Sequence, residues 1–88
     1  MIEIKHQMVI VYLLMIVIFS IIYYNINTEH MYYAPNCNPN SYLDHLYFST
    51  TVSSTVGFGD ILPKSPMAKT IVMIHELCII ALAVVLIF

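Results

Sequence analysis

Two long apolar runs, separated by a more polar middle, give the chain its pattern. The first run covers residues 8–24 with Ser20 as a small polar interruption, and the second covers residues 70–88. As α-helices at 1.5 Å per residue, these runs would be ~25 and ~28 Å long, close to the ~30 Å thickness of a bilayer core. The pattern predicts two transmembrane helices, which we place at residues 8–26 and 68–88.

A cleaved signal peptide is the alternative interpretation of the first run, because a short segment with Lys5 and His6 precedes it. No small-residue cleavage site follows the run. Tyr23 and Tyr24 lie at its end, as aromatic side chains do at a membrane interface. We therefore interpret the run as a membrane-spanning helix.

The segments next to these runs contain the prolines of the chain. Residues 27–40 are polar and include Pro35 and Pro39, which is typical of a loop at a membrane surface. Residues 61–67 hold two further prolines, which predict an irregular segment before the second long helix.

A short helix is predicted between these segments, at residues 41–53. Ser41 followed by Asp44 is a variant of the capping-box pattern, and the carboxylate suits the positive end of the helix dipole. Because a helix this short is marginal in water, we expect packing to stabilise it.

The composition excludes several classes of protein. The 88 residues are 60% hydrophobic and only 9% charged, with a mean hydropathy of +0.84, which leaves too little charged surface for a soluble domain. The length allows one domain at most. A net charge of −2 without arginine gives no electrostatic footprint for a nucleic-acid partner. Cys37 and Cys78 fall in a polar loop and an apolar run, so we expect them not to pair.

Residues 55–60, TVGFGD, interrupt the helical pattern. Gly57 and Gly59 alternate with residues that carry side chains, and glycine adopts positive φ without a steric clash. If the intervening carbonyl groups turn to one side, the segment presents a ladder of neutral oxygens that suits a dehydrated monovalent cation. One chain supplies one edge, so enclosing an ion needs several copies about an axis. The C-terminus of the short helix, which carries about half a negative elementary charge, ends beside this ladder.

The stretch from Ser54 to Asp60 resembles the selectivity filter of potassium channels, whose TVGYG loops coordinate K⁺ through backbone carbonyl groups. The longer stretch TVGFGDILPKSPMAK, residues 55–69, is similar to the miniature potassium channels encoded by viruses of algae. The resemblance covers the short helix, the filter and the second long run, roughly the C-terminal half of the chain.

The resemblance implies an all-α membrane protein with two transmembrane helices and a re-entrant pore helix, assembled as a homotetrameric pore. In a single pore domain, residues 1–88, the loop at 27–40 would be extracellular, the pore helix would cover 41–53 and the filter 54–60. Both termini would lie inside. We expect three further copies and membrane lipid as partners, no auxiliary subunit, no cofactor besides the transported K⁺, and no voltage-sensor or ligand-binding domain.

The resemblance also implies roles for individual residues. The K⁺ ions would be bound by the backbone carbonyl groups of Thr55, Val56, Gly57 and Phe58, with the Thr55 hydroxyl closing the innermost site. Gly59 completes the filter and Asp60 would cap its outer mouth, while Ser53 and Ser54 would support it from the pore helix. Side chains at helical spacing on the second span are candidates for lining the inner cavity: Glu76, Ile80, Ala83 and Ile87.

Two departures from the family pattern concern the rigidity of the filter. Phe58 stands where many relatives have tyrosine, so a hydroxyl that can tether the filter to its helix is absent. Thr51 stands where some relatives place a carboxylate that pairs with the filter aspartate. Both changes bear on rigidity and open lifetime rather than on ion preference.

His75 and Glu76 interrupt the second apolar run. They are adjacent rather than spaced as ligands, and no nucleophile accompanies them, so an enzyme is not predicted. We interpret His75 as a buried packing residue rather than a proton relay. Glu76 would lie at the cavity edge, behind the pore helix near Ser53 or Ser54, or protonated and hydrogen-bonded between subunits.

Two further functions stay open from the sequence. The chain could be a non-selective viral pore-former in which the glycine segment widens or collapses, and reversal potentials in mixed K⁺ and Na⁺ would separate this case. It could also be a membrane-anchored accessory protein that needs a partner to conduct, and reconstitution of the purified chain would separate that one. The expected location is an integral, multi-pass position in a membrane, of a host cell or virion if the chain is viral.

Overall fold

The computed structural model describes residues 2–54 and 56–87. Its helices and strands, in chain order, are α1 (Ile2–His30), β1 (Met31–Tyr33), α2 (Tyr42–Ser53), β2 (Ile61–Pro63) and α3 (Pro66–Ile87). The described part of the chain thus consists of two long helices, a short helix between them and one two-stranded ribbon.

Helix α1 covers Ile2–His30 and is longer than the predicted span at 8–26. No proline or glycine occurs before Pro35, so nothing in the sequence stops the helix where the apolar run ends. The predicted loop at 27–40 is therefore wrong at its start, where the last turn of α1 continues. Its 29 residues correspond to about 43 Å, so the ends of α1 extend beyond a ~30 Å bilayer core.

A short antiparallel ribbon joins the chain after α1 to the chain after the glycine segment. Strand β1 pairs with β2 in the register Met31 with Pro63 and Tyr33 with Ile61. The side chains of Met31 and Ile61 are buried. The sequence analysis predicted no strands, because each has only three residues and shows no alternating pattern long enough to read.

Helix α2 begins as predicted, with Ser41 as its N-cap. The Ser41 hydroxyl accepts a hydrogen bond from the Asp44 N–H (3.3 Å), which satisfies one of the free donors of the first turn. His45 is buried and donates through Nδ1 to the Ser41 carbonyl oxygen (2.7 Å). The expected packing is confirmed, because one side of α2 is buried against the long helices, including Phe48 and Val52.

Helix α3 begins at Pro66, within the segment 61–67 that we predicted to be irregular. That prediction is wrong at its end, because proline is tolerated in the first turn, where its missing N–H has no helical partner. The Ser65 hydroxyl accepts a hydrogen bond from a backbone N–H of this turn (3.0 Å). The helix thus starts before the predicted span at 68–88, and Phe88 lies outside the described residues.

The buried core is small and lies between the helices near the ribbon. It is formed by Tyr23, Met31, Phe48, Val52, Ile61 and Ala68. Elsewhere α1 and α3 expose their apolar side chains. The segments Lys5–Ile26 and Pro66–Ile87 are long and apolar enough to cross a membrane, with mean hydropathies of 2.4 and 2.6, and 11% of each apolar window is buried. A core helix of a soluble protein would be largely buried instead.

Candidate functional site

The filter segment, residues 54–60, leaves α2 with the backbone conformation that the glycine pattern predicts. Gly57 has φ = 61° and Gly59 has φ = 89°, and both values lie in the left-handed region that favours glycine. A Cβ atom added at either glycine would meet no atom within 4 Å. The requirement for glycine at these two positions is therefore conformational rather than steric.

One edge of the filter segment is uncovered in a single chain. Val56 is 55% exposed and Phe58 is 66% exposed, and both glycines are exposed as well. The segment is joined to α2 at its start, where the Val56 N–H donates to the Thr51 carbonyl oxygen (3.0 Å). Thr55 lies outside the described residues, so its carbonyl and hydroxyl ion sites stay predictions.

Asp60, at the C-terminal end of the filter segment, is held by two other parts of the chain. The Tyr47 hydroxyl donates to Asp60 Oδ2 (2.7 Å), and the Ala34 N–H donates to the Asp60 carbonyl oxygen (2.8 Å). The hydrogen bond to Asp60 raises the pKa of the Tyr47 phenol to about 12. The Tyr47 ring also lies parallel to the Phe58 ring, with a centroid distance of 6.1 Å.

Sequence reasoning missed Tyr47 as the tether of the filter aspartate. It considered Thr51, whose hydroxyl instead donates to the Phe48 carbonyl oxygen within α2 (2.8 Å). Tyr47 lies one helical turn earlier on the same stripe, and its longer side chain reaches Asp60. Tyr47 and Thr51 are four residues apart and so lie on the same side of α2. This spacing was the sequence feature that could have identified Tyr47 as a second candidate partner of Asp60.

The thiol of Cys37 lies near Asp60. Burial and the nearby carboxylates of Asp60 and Asp44 raise the pKa of Cys37, so the neutral thiol is favoured. Cys37 and Cys78 are both free, which confirms that they do not pair.

The two serines predicted to support the filter behave differently. Ser53 is buried, its carbonyl oxygen accepts from the Tyr12 hydroxyl (3.0 Å), and its Oγ shares a hydrogen bond with His75 Nε2 (2.8 Å). Ser54 is exposed and donates its hydroxyl to the Thr51 carbonyl oxygen (3.1 Å). His75 is buried as predicted.

The four candidate cavity residues lie together on an exposed face of α3. All are exposed in a single chain: Glu76, Ile80, Ala83 and Ile87. Within one chain, His75 rather than Glu76 contacts Ser53, and Glu76 is exposed. What surrounds this face in a membrane stays a prediction.

An apolar groove of about 390 Å³ lies between α2 and the filter segment. Leu43, Leu46 and Tyr47 line it on the helix, and Val56 and Phe58 line it on the filter side. Irregular backbone at membrane depth is tolerated only where protein or water surrounds it. The groove and the exposed filter edge share Val56 and Phe58. They therefore form one continuous surface of the single chain.

Comparison with known proteins gives a family and several relatives. A family model described as an ion channel matches residues 11–88. The chain is 54% identical over 35 residues to potassium channel protein kcv of Paramecium bursaria Chlorella virus 1, covering 40% of this chain and 37% of the relative. It is 37% identical over 43 residues to the inward rectifier potassium channel Kirbac3.1 of Paramagnetospirillum magnetotacticum, covering 49% and 15%.

A third relative is potassium channel K2 of Plasmodium berghei (strain Anka), which is 44% identical over 48 residues, or 54% of this chain and 3% of the relative. The chain thus spans well under half the length of the curated relatives it matches. The family match is broader, because it includes most of α1, the pore helix, the filter segment and α3. With this match over two long apolar helices, the chain belongs to the ion channel family and is an integral membrane protein.

Proposed function

We propose that the chain forms a potassium-selective pore that conducts K⁺ passively across a membrane. The observation that carries this proposal is the alternation of positive φ at Gly57 and Gly59 in an exposed segment that follows α2 directly. Such a backbone can offer stacked neutral oxygens, which replace the hydration shell of a monovalent cation. The names of the relatives, all potassium channels, support the choice of ion.

The K⁺ sites are assigned to backbone oxygens. The carbonyl groups of Thr55, Val56, Gly57 and Phe58 would form successive rings, and the Thr55 hydroxyl would close the innermost site. Carbonyl dipoles suit K⁺ because they bind it without trapping it as a buried carboxylate would. The partial negative charge at the C-terminus of α2 adds attraction for the cation below the filter.

The pore is proposed to be a homotetramer, with three further copies as partners. The open filter edge and the 390 Å³ groove support this, because both need covering by protein at membrane depth. Four edges about one axis would enclose the ion. Asp60 would then stand four times at the outer mouth and concentrate cations there.

We also propose that the pore belongs to the miniature viral kind, which the 54% identity to the chlorella virus channel supports. The inner cavity would be lined by the exposed stripe on α3 that contains Glu76, Ile80, Ala83 and Ile87. The family is a class of channels rather than of enzymes, so no reaction is assigned.

A liposome flux assay with the purified full chain tests the proposal. Liposomes loaded with K⁺ should release it rapidly once a counter-ion path is provided, while Na⁺-loaded liposomes should release little. Equal release of both ions would favour a non-selective pore instead. An assembled, membrane-inserted chain without flux of either ion would favour an accessory protein.

A further inference from the structure

The end of α2 nearest the filter is held by both membrane-spanning helices at a single residue. Ser53 is 2% exposed and is the last residue of α2. Tyr12 of α1 donates its hydroxyl to the Ser53 carbonyl oxygen (3.0 Å), and His75 of α3 binds the Ser53 hydroxyl through Nε2 (2.8 Å). The last carbonyl groups of an α-helix lack intrahelical donors, and the Tyr12 hydroxyl supplies a donor to that of Ser53.

The imidazole ring of His75 is held by hydrogen bonds at both nitrogens and by a stacked aromatic ring. Its Nδ1 atom shares a hydrogen bond with the Tyr23 hydroxyl (2.8 Å), and the Phe19 ring stacks on it at a centroid distance of 4.1 Å and an angle of 5°. A neutral imidazole has one donor and one acceptor nitrogen, and a hydroxyl can serve either role, so both nitrogens are satisfied in either tautomer. The imidazole is thus a rigid spacer between Tyr23 and Ser53.

Among the described residues, hydroxyl hydrogen bonds join α1 to α2 at residues 12, 16 and 20 of α1, which are four residues apart. Tyr12 binds the end of α2, the Ile16 carbonyl oxygen accepts from Ser49 (2.7 Å), and Ser20 binds Tyr42 at the beginning of α2 (2.6 Å between hydroxyl oxygens). Among these contacts, the one at Ser53 differs because Ser53 also shares a hydrogen bond with His75 of α3. The beginning and end of α2 therefore offer hydrogen bonds of the same kind at different distances from the filter.

A displacement of Ser53 reaches the filter directly. The Val56 N–H donates to the carbonyl oxygen of Thr51, which lies in the last turn of α2 with Ser53 (3.0 Å). The filter segment therefore starts from a backbone hydrogen bond to the very turn that Tyr12 and His75 hold. A binding site built from several oxygens works when its members are held to within about 0.5 Å.

We propose that Tyr12 and His75 are positioning residues for ion selectivity, acting through Ser53 to fix the inner end of the filter. This inference rests on the proposed potassium conduction. Neither residue belongs to the filter segment, and their effect is transmitted by the last turn of α2. This positioning role differs from a role in folding. A folding role would change how many channels assemble, whereas the positioning role changes the filter geometry of the channels that have assembled.

The test measures reversal potentials with K⁺ and Na⁺ on opposite sides of a bilayer, using the full chain, four single variants and one double variant. Tyr12→Phe removes the donor to the Ser53 carbonyl group, and His75→Phe keeps a ring beside Phe19 but removes both hydrogen bonds. Ser53→Ala removes the hydroxyl that His75 binds. Tyr42→Phe is the matched control, because it removes a hydroxyl hydrogen bond between α1 and the other end of α2.

The reversal potential does not depend on how many channels assemble, so a purely structural role would change the current without changing selectivity. Tyr12→Phe and His75→Phe should each lower the permeability ratio of K⁺ over Na⁺ by about threefold or more. This is the size of effect expected when the net free energy of one hydrogen bond no longer favours the selective filter geometry. Tyr42→Phe should leave the ratio unchanged. His75→Phe with Ser53→Ala should be no worse than the more affected single variant, since both remove the same hydrogen bond.

Unchanged ratios in Tyr12→Phe and His75→Phe would overturn the proposal, and so would an equal loss in Tyr42→Phe. If His75→Phe fails to assemble, Tyr12→Phe decides the question alone, because it deletes one oxygen atom. A parent chain that does not prefer K⁺ would overturn the proposed function together with this inference. A selective parent with unaffected variants overturns the positioning role alone.

Discussion

Gly57 has a backbone conformation in the filter segment that few other residues can adopt. Its φ of 61° and the open space around it mean that a Cβ atom would be unfavourable through backbone conformation alone. The left-handed conformation costs an L-residue roughly 1–2 kcal/mol, and a tetramer would carry this cost in every subunit. The positive φ at this glycine could be predicted from the sequence because it depends on the local backbone conformation and not on distant contacts.

Gly57→Ala should therefore abolish selective K⁺ current while the chain still inserts and assembles. Bilayer recordings measure the current, and a gel or light-scattering assay measures assembly. D-alanine, introduced at this position by chemical synthesis, is the matched control, because the positive φ of Gly57 is favourable for a D-residue. Normal K⁺ current from the L-alanine variant would contradict the assignment of the filter.

Tyr47 gives a second prediction at this scale. Tyr47→Phe removes the hydrogen bond to Asp60, and we expect shorter open times in single-channel recordings with little change in ion preference, because the bond holds the outer end of the filter. Asp60→Asn is the control, since an amide oxygen still accepts from Tyr47 while the charge is lost. Equal open times in Tyr47→Phe and the parent would show that this bond does not stabilise the conducting filter.

The pKa of Tyr47 sets the pH range in which this tether is present. Because that pKa is raised to about 12, the neutral donor is fully present below the ordinary tyrosine pKa and is lost only as pH rises through about 12. Tyr47 should therefore stay protonated when external pH is raised from neutral to about 9, and its titration should cause no change in open time over this range. An open time that falls over this range in the parent but not in Tyr47→Phe would contradict this assignment.

At the scale of elements, the sequence predicted the two long helices from the lengths of their apolar runs and the short helix from the cap at Ser41. It could not predict the ribbon of β1 and β2, because strands of three residues are formed by a partner far along the chain. Helix ends were also missed, since α1 continues beyond its apolar run and Pro66 starts α3 rather than preceding it. Contacts between elements, such as those of Tyr47 and His75, need the fold itself.

Helix α3 has two faces with different expected environments. The packed face contains His75 and Ile79, and the exposed face contains Glu76 and Ile80. An ionised carboxylate facing lipid at mid-helix would be unfavourable by roughly 2.5–3.5 kcal/mol on insertion scales, which favours the cavity or a subunit interface for Glu76.

Glu76→Gln tests which surrounding applies. If the carboxylate reaches the cavity, the amide should keep K⁺ selectivity but weaken block by internal magnesium or polyamines, because the attraction for polyvalent cations is lost. Glu29→Gln, on the exposed end of α1, is the matched control and should leave this block unchanged. Identical block in the parent and Glu76→Gln would show that Glu76 does not face the ion path.

At the scale of the whole molecule, one chain buries only a small core and leaves its filter edge, groove and long helices uncovered. These surfaces call for two different surroundings. The apolar outer faces of α1 and α3 suit lipid, whereas the irregular filter backbone needs protein or water. Lipid and further copies of the chain together would complete the molecule.

The central claim is that this chain alone makes a K⁺-selective path, and a bi-ionic recording tests it most directly. The purified chain is placed in a bilayer of defined lipid with K⁺ on one side and Na⁺ at equal concentration on the other. A current that reverses more than about 59 mV from zero, in the direction set by K⁺, corresponds to a preference above tenfold and is the predicted result. Reversal at zero would contradict the account, because a filter of stacked carbonyl groups would then not select between the two ions.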